Sequence, residues 1–146
     1  MDPLASVFAP VRPYAGWALR LTFAATFLFY GYAKVTGLGG FANMMLGGNT
    51  FLAALVAFAE VAAGLGILVG AFTSSFITRL AGLAVIPVML GAIFMVHGQN
   101  GFHFMAQPGD PTPMGGWNFQ FILIGVGLFY LLSGNKDIEG ERGAAA

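Results

Sequence analysis

The chain has 146 residues, of which only six are basic and six acidic, while 58% are hydrophobic and the formal net charge is zero. A soluble domain carries about 25% charged residues, so this composition excludes an ordinary water-soluble fold, and its scattered basic residues exclude a nucleic-acid footprint. Cysteine is absent, which excludes disulfide staples, thiolate metal sites and a dithiol relay.

The length suits one domain, 1–146. A helix rising about 1.5 Å per residue needs about 20 mostly apolar residues to cross a bilayer. Four windows meet that need, at about 17–36, 51–72, 79–97 and 117–133. They predict an all-α integral membrane protein, a bundle of four transmembrane helices. Unbroken apolar runs take the place of the alternation that a β-barrel strand needs.

The first window begins at Trp17, an interfacial anchor. Its short apolar core behind two arginines has the pattern of a signal peptide, and the expectation is that it is retained as the first span. Arg20 and Lys34 stand 14 residues apart, close to four turns, so they share a helix face about 21 Å apart. Ala24, Phe27 and Gly31 lie between them on that stripe. In the second window Glu60 falls roughly 14 Å below the outer end, near mid-membrane, where a carboxylate must face the protein interior or find a partner. Its stripe of Ala53, Ala57, Ala63 and Gly64 marks a packed interface. Lys34 stands only about 6 Å above Glu60 along the membrane normal, so an ion pair between the first two spans is expected. Such a pair either fixes helix register or belongs to a ligand site.

The third window opens at Arg79, contains the helix-bending Pro87 and closes at His97. The fourth opens with Trp117-Asn118-Phe119-Gln120. The tail, 134–146, is polar and rich in small residues and is expected to fray. Arg12, Arg20, Arg79, Lys136 and Arg142 share one side of this topology and Lys34 alone takes the other, so both termini are expected in the cytoplasm. The outer loops are then 37–50 and 98–116.

Topology gathers His97, His103, Asn118 and Gln120 near the outer face with Lys34, above Glu60. A cation, an imidazole and amides over a buried carboxylate can hydrogen-bond a quinone carbonyl or an anionic substrate and relay protons. Met44, Met45, Met105 and Met114 in the same loops are soft donors suited to copper, but their spacing fits no metal motif, and no metal is expected. Arg79 at the inner end is read first as snorkelling to lipid phosphate, and Arg20, open to the same reading, joins Lys34, Glu60, His97, Asn118 and Gln120 in a candidate polar seam that opens toward the outer face.

Several segments together resemble the DoxX family of small four-helix bacterial membrane proteins, which includes relatives of the DoxD subunit of thiosulfate:quinone oxidoreductase. They are Leu19-Arg20-Leu21, Phe29-Tyr30-Gly31-Tyr32-Ala33-Lys34, Ala59-Glu60-Val61-Ala62-Ala63-Gly64-Leu65, Thr78-Arg79-Leu80 and His97-Gly98-Gln99-Asn100-Gly101-Phe102. The likeness departs where Asn118 and Gln120 stand without the acidic residue the family places early in its fourth helix. The basic, glycine-rich ending is also reduced to Ser133-Gly134-Asn135-Lys136-Asp137.

The resemblance implies a multi-pass subunit of the bacterial cytoplasmic membrane with a quinone-linked redox role, Lys34 and His97 holding the quinone head and Glu60 accepting its proton. No redox centre is encoded, so electrons would pass through another membrane subunit. The alternative is a non-catalytic accessory subunit that stabilises an electron-transport complex through Gly66 and Gly70 or Gly125 and Gly127. A small-solute transporter is the weaker third reading, since four helices without a repeat leave little room for a pathway.

Overall fold

The computed structural model describes residues 3–138, and its regular elements are all helical. They are α1 (Pro3–Phe8), a 3₁₀ turn (Arg12–Tyr14), α2 (Ala15–Thr36), α3 (Leu38–Met45), α4 (Thr50–Phe72), α5 (Ser75–Ala92) and α6 (Asn118–Ser133). A π-helical turn (Ile93–His97) and a 3₁₀ turn (Gly98–Asn100) prolong α5. The four apolar windows thus become α2, α4, α5 with its extension, and α6. Arg142 lies outside the described residues.

Caps set several of these boundaries. Asn49 Oδ1 accepts from the Leu52 amide at 2.9 Å and starts α4, and Ser74 Oγ accepts from the Phe76 amide at 3.1 Å and starts α5. Both satisfy amides that the first helical turn leaves without an intrahelical acceptor. The third span therefore begins one turn before Arg79. Pro87 lies inside α5, where it removes one backbone donor, and the π-helical turn follows a few residues later.

Four of these helices build one core. Phe23, Ala24 and Phe27 of α2 meet Ala63 and Ile67 of α4, Ala81, Val85 and Met89 of α5, and Leu123 and Tyr130 of α6. Small residues set the approach. A Cβ on Gly64 would stand 2.7 Å from Leu28 Cγ of α2, and one on Gly82 would stand 2.5 Å from the Gly127 carbonyl oxygen of α6. Gly66 packs on Ala81 and Gly70 on Thr78. Gly66, Gly70 and Gly127 therefore serve contacts within the chain, and only Gly125 of the four glycines proposed for outside docking has open space before it.

The outer surface is apolar. Phe29, Phe51, Phe58, Phe72, Phe94 and Leu132 are all exposed. Two helical stretches are long and apolar enough to cross a membrane, Thr50–Phe72 with 23 residues and Ser75–Asn100 with 26. Only 33% and 22% of their most apolar windows are buried inside the protein, whereas a core helix of a soluble protein hides its apolar face. Helix α6 is apolar but has 16 residues, and α2 has 22 and carries Arg20 and Lys34.

Two segments differ from the sequence expectation. The loop 37–50 contains α3, whose Ala42 is fully buried. The described part of the tail, 134–138, is folded back rather than frayed, and 139–146 lies outside the described residues. Gly134 takes a left-handed conformation (φ 62°), the chain turns back, and Asn135 and Ile138 are buried. Favourable side-chain contacts replace the solvation a frayed end would have.

Candidate functional site

Arg20 is the most enclosed charge among the described residues, with no exposed surface. Its Nε and Nη2 donate to Asp137 Oδ2 and Oδ1 at 2.8 and 2.6 Å. Nη1 donates to the Ile67 carbonyl at 2.9 Å, and Nη2 to Asn135 Oδ1 at 2.9 Å. Asn135 Oδ1 also accepts from Thr78 Oγ1 at 2.6 Å, and its Nδ2 donates to the Gly70 carbonyl at 2.9 Å. Arg20 therefore does not snorkel. It ties α2 to α4, α5 and the segment after α6 through a bidentate carboxylate and neutral oxygens. Arg79 likewise turns inward, donating to the Leu131 and Leu132 carbonyls at 2.6 and 2.7 Å, which satisfies the end of α6.

Lys34 and Glu60 form the second charged cluster. Lys34 Nζ lies 2.7 Å from Glu60 Oε2, and the two side chains are 19% and 3% exposed. Lys34 Nζ also stands 5.5 Å from the ring centre of Tyr30 and 5.3 Å from that of Phe41, within cation–π range. Gly31 makes the approach possible, because a Cβ there would lie 2.9 Å from the Val61 amide nitrogen. Between the two clusters on α2, Phe23, Ala24, Phe27 and Gly31 are buried. Arg20 and Lys34 therefore belong to separate sites.

The Lys34–Glu60 pair lines a cavity of about 1000 Å³ at the end of the protein opposite Arg20. Helix α2 contributes Phe27, Tyr30 and Lys34, and α3 contributes Phe41, Met44 and Met45. Helix α4 gives Leu55, Val56 and Glu60, and α5 with its extension gives Pro87, Met95 and His97. Met114 closes it from the loop 98–116, with Phe119, Gln120 and Leu123 from α6. Of the sequence-selected residues, Lys34, Glu60, His97 and Gln120 thus share one cavity. Arg20 sits in the inner cluster, and Asn118 opens α6 without lining the cavity.

The polar lining has a definite donor and acceptor arrangement. His97 Nδ1 is 2.7 Å from the Gly115 carbonyl. A carbonyl only accepts, so Nδ1 carries the proton in this contact. Gln120 is only 9% exposed, and its Oε1 is buried with no hydrogen-bond partner among the described residues.

The loop 98–116 is built around Asn100, whose side chain bonds Thr112 and the Met114 carbonyl. His103 is tied to the Met105 carbonyl at 2.8 Å and to Asp110 Oδ1 at 3.1 Å, so it stabilises the loop. Among the described residues no cluster of three His, Cys, Asp or Glu side chains could hold a metal.

Sequence reasoning missed Thr78, Asn135 and Asp137 at the inner cluster and α3 at the cavity. The available signal was the Gly134-Asn135 pair directly after an apolar helix, a helix stop that turns the chain. A family model described as DoxX matches residues 16–98. The match includes Arg20, Lys34, Glu60 and His97 and stops before Gln120 and the segment after α6. Comparison with curated proteins and with solved structures gives no match. With more than half its length matched and two membrane-capable helices, the chain belongs to the DoxX family of membrane proteins.

Proposed function

We propose that the protein crosses a bacterial cytoplasmic membrane four times through α2, α4, α5 and α6, and that its outer cavity binds the head group of a lipophilic quinone-class molecule. The start of α2 and the end of α6 face the cytoplasm in this reading. Its support is that all four helices share one core beneath an apolar surface, with Arg12, Arg79 and Lys136 at one end. Helix α6 spans only about 24 Å at 1.5 Å per residue, a mismatch that flanking residues and local thinning accommodate.

The cavity carries the functional reading. It is mostly aromatic and aliphatic, has about the volume of a large ligand pocket, and holds a few convergent polar groups. Only Oε2 of Glu60 is engaged by Lys34, which leaves its other oxygen to take a proton from a head group. Electron exchange would fall to a partner membrane protein. The accessory-subunit reading loses three of its four docking glycines to internal packing.

Two experiments test the proposal. Because the chain has no cysteine, single Asn43→Cys, Gln107→Cys and Lys136→Cys variants can be labelled in intact cells with a membrane-impermeant maleimide. Labelling at 43 and 107 but not at 136 is expected, and labelling at 136 would overturn the orientation. Protein purified in mild detergent is expected to retain extractable quinone or to bind an added short-chain quinone or quinol saturably. Absence of both would overturn the ligand.

A further inference from the structure

Helices α4 and α5 face each other along two stripes of residues. Near the turn that joins them the stripes touch: a Cβ on Gly66 would stand 3.1 Å from Ala81 Cβ, and one on Gly70 would stand 2.7 Å from the Thr78 amide nitrogen. Stepping away from the turn by three and four residues, the same faces continue to Ala59 and Val56 on α4 and to Ala84, Val88 and Met95 on α5. These five residues line the cavity. The two helices that close on each other at the Arg20 end thus have the cavity between them at the other end. Leu55 and Met95 border that gap and are 53% and 55% exposed, so it reaches the surface of the bundle. The other three seams are bridged. Lys34 pairs with Glu60 between α2 and α4, Gly82 lies against Gly127 between α5 and α6, and the Tyr30 and Phe119 ring centres stand 6.2 Å apart between α2 and α6.

A ring-sized head group leaves much of a cavity of about 1000 Å³ unfilled, and empty space of that order is unfavourable in a protein interior. The part between α4 and α5 is walled by aliphatic side chains and the flexible thioether of Met95, which adapts to an irregular apolar chain. We propose that the cavity opens sideways into the bilayer between α4 and α5, and that this cleft holds the hydrocarbon tail of the same amphiphile whose head group lies beside Lys34 and Glu60. A hydrocarbon tail is as much at home among lipid chains as among these side chains, so it can lie partly in the cleft and continue outside it. This rests on the proposed reading of the cavity and adds to it a tail subsite and the route by which the ligand enters and leaves.

The test uses the full chain purified in mild detergent and a 1,4-benzoquinone whose decyl tail carries a diazirine at its middle. Photolysis and peptide mapping are expected to place the tail on 52–59 of α4 and 84–95 of α5, and an excess of plain decyl-benzoquinone is expected to remove that label. Competed label confined to α2 and α6, or to the loops 37–50 and 98–116, would overturn the cleft and leave the head-group site standing. Label that excess phospholipid removes and decyl-benzoquinone does not would mean that a lipid chain fills the cleft, and would overturn the proposal as well. Gly91→Leu supplies a second measurement, because Gly91 lines the cavity and a Cβ there meets nothing within 4 Å. The variant is expected to bind decyl-benzoquinone about tenfold more weakly, the effect of displacing a few methylene contacts, and to bind tail-free tetramethyl-1,4-benzoquinone as before. Equal effects on the two quinones, or an effect on neither, would overturn the tail subsite. Saturable binding of neither quinone to the unaltered chain would overturn this proposal and the ligand reading together.

Discussion

Replacing Asp137 by alanine tests whether the segment after α6 is part of the fold. The substitution removes the bidentate partner from a guanidinium with no exposed surface, breaking contacts of 2.8 and 2.6 Å. Arg20 keeps the Ile67 carbonyl, Asn135 and a longer contact of 3.4 Å to Thr78 Oγ1. These are neutral acceptors and cannot balance the charge. Removing one member of a buried ion pair costs about 3–5 kcal/mol, and the expected loss lies toward the lower figure because neutral acceptors remain. Asp137→Asn keeps an acceptor in place and should cost less, about 1–3 kcal/mol. In the double variant with Arg20→Met the unpaired charge is gone, so the two losses should be strongly non-additive. Reversible unfolding in mixed detergent micelles, followed by circular dichroism, measures each free energy. A loss below about 0.5 kcal/mol for Asp137→Ala, or simple additivity, would refute the tie.

Glycine substitutions should separate packed faces from open ones. Gly82→Ala drives a Cβ to 2.5 Å from a carbonyl oxygen of α6 and should destabilise by about 1–3 kcal/mol, whereas Gly125→Ala meets nothing and should be neutral or gain up to about 1 kcal/mol from helix propensity. The same unfolding assay reads both, and equal effects would count against the packing described. Tyr130→Phe removes a buried hydroxyl that has no partner among the described residues, so stability should hold or rise, and a marked loss would reveal a partner for that hydroxyl. Glu60→Gln unpairs Lys34 in the cavity and should impair ligand binding and stability far more than His103→Ala, which affects a loop tie; parity between the two would sink the role given to the carboxylate.

Glu60 was legible because a carboxylate amid alanines in an apolar window has few tolerable surroundings, and helical rise alone put Lys34 within its reach. Asp137 was not, since it follows the last apolar window in a stretch with the composition of a frayed end. Its structural role depends on the left-handed turn at Gly134 and on Arg20 more than one hundred positions earlier. Helix α3 was hidden for another reason. Its eight residues begin Leu38-Gly39-Gly40, which weakens helix propensity, and burial of Ala42 is a tertiary effect. The small residues of α4 and α6 signalled close approach, but nothing local tells whether the neighbour is the same chain or another. Gln120 stood out by its position near the outer face, while its unpartnered oxygen follows only from what the other helices place around it.

The two charges of α2 do different work because the helices on either side converge at one end and part at the other. At the inner end Gly66 and Gly70 let α4 lie against Ala81 and Thr78 of α5, and Arg20 ties these helices to the returning chain. At the outer end α5 carries Pro87 and a π-helical turn, and the space beside it is the cavity. Phe27 and Leu123 line that space, and Phe23, Ile67 and Tyr130 fill the core next to them. A solute passing from the cavity to the Arg20 end of the bundle would have to displace this aromatic core and then break the Arg20 contacts. A transport pathway is therefore the reading that the packing opposes most directly, and a ligand of the proposed kind would leave by the cavity end or sideways between helices.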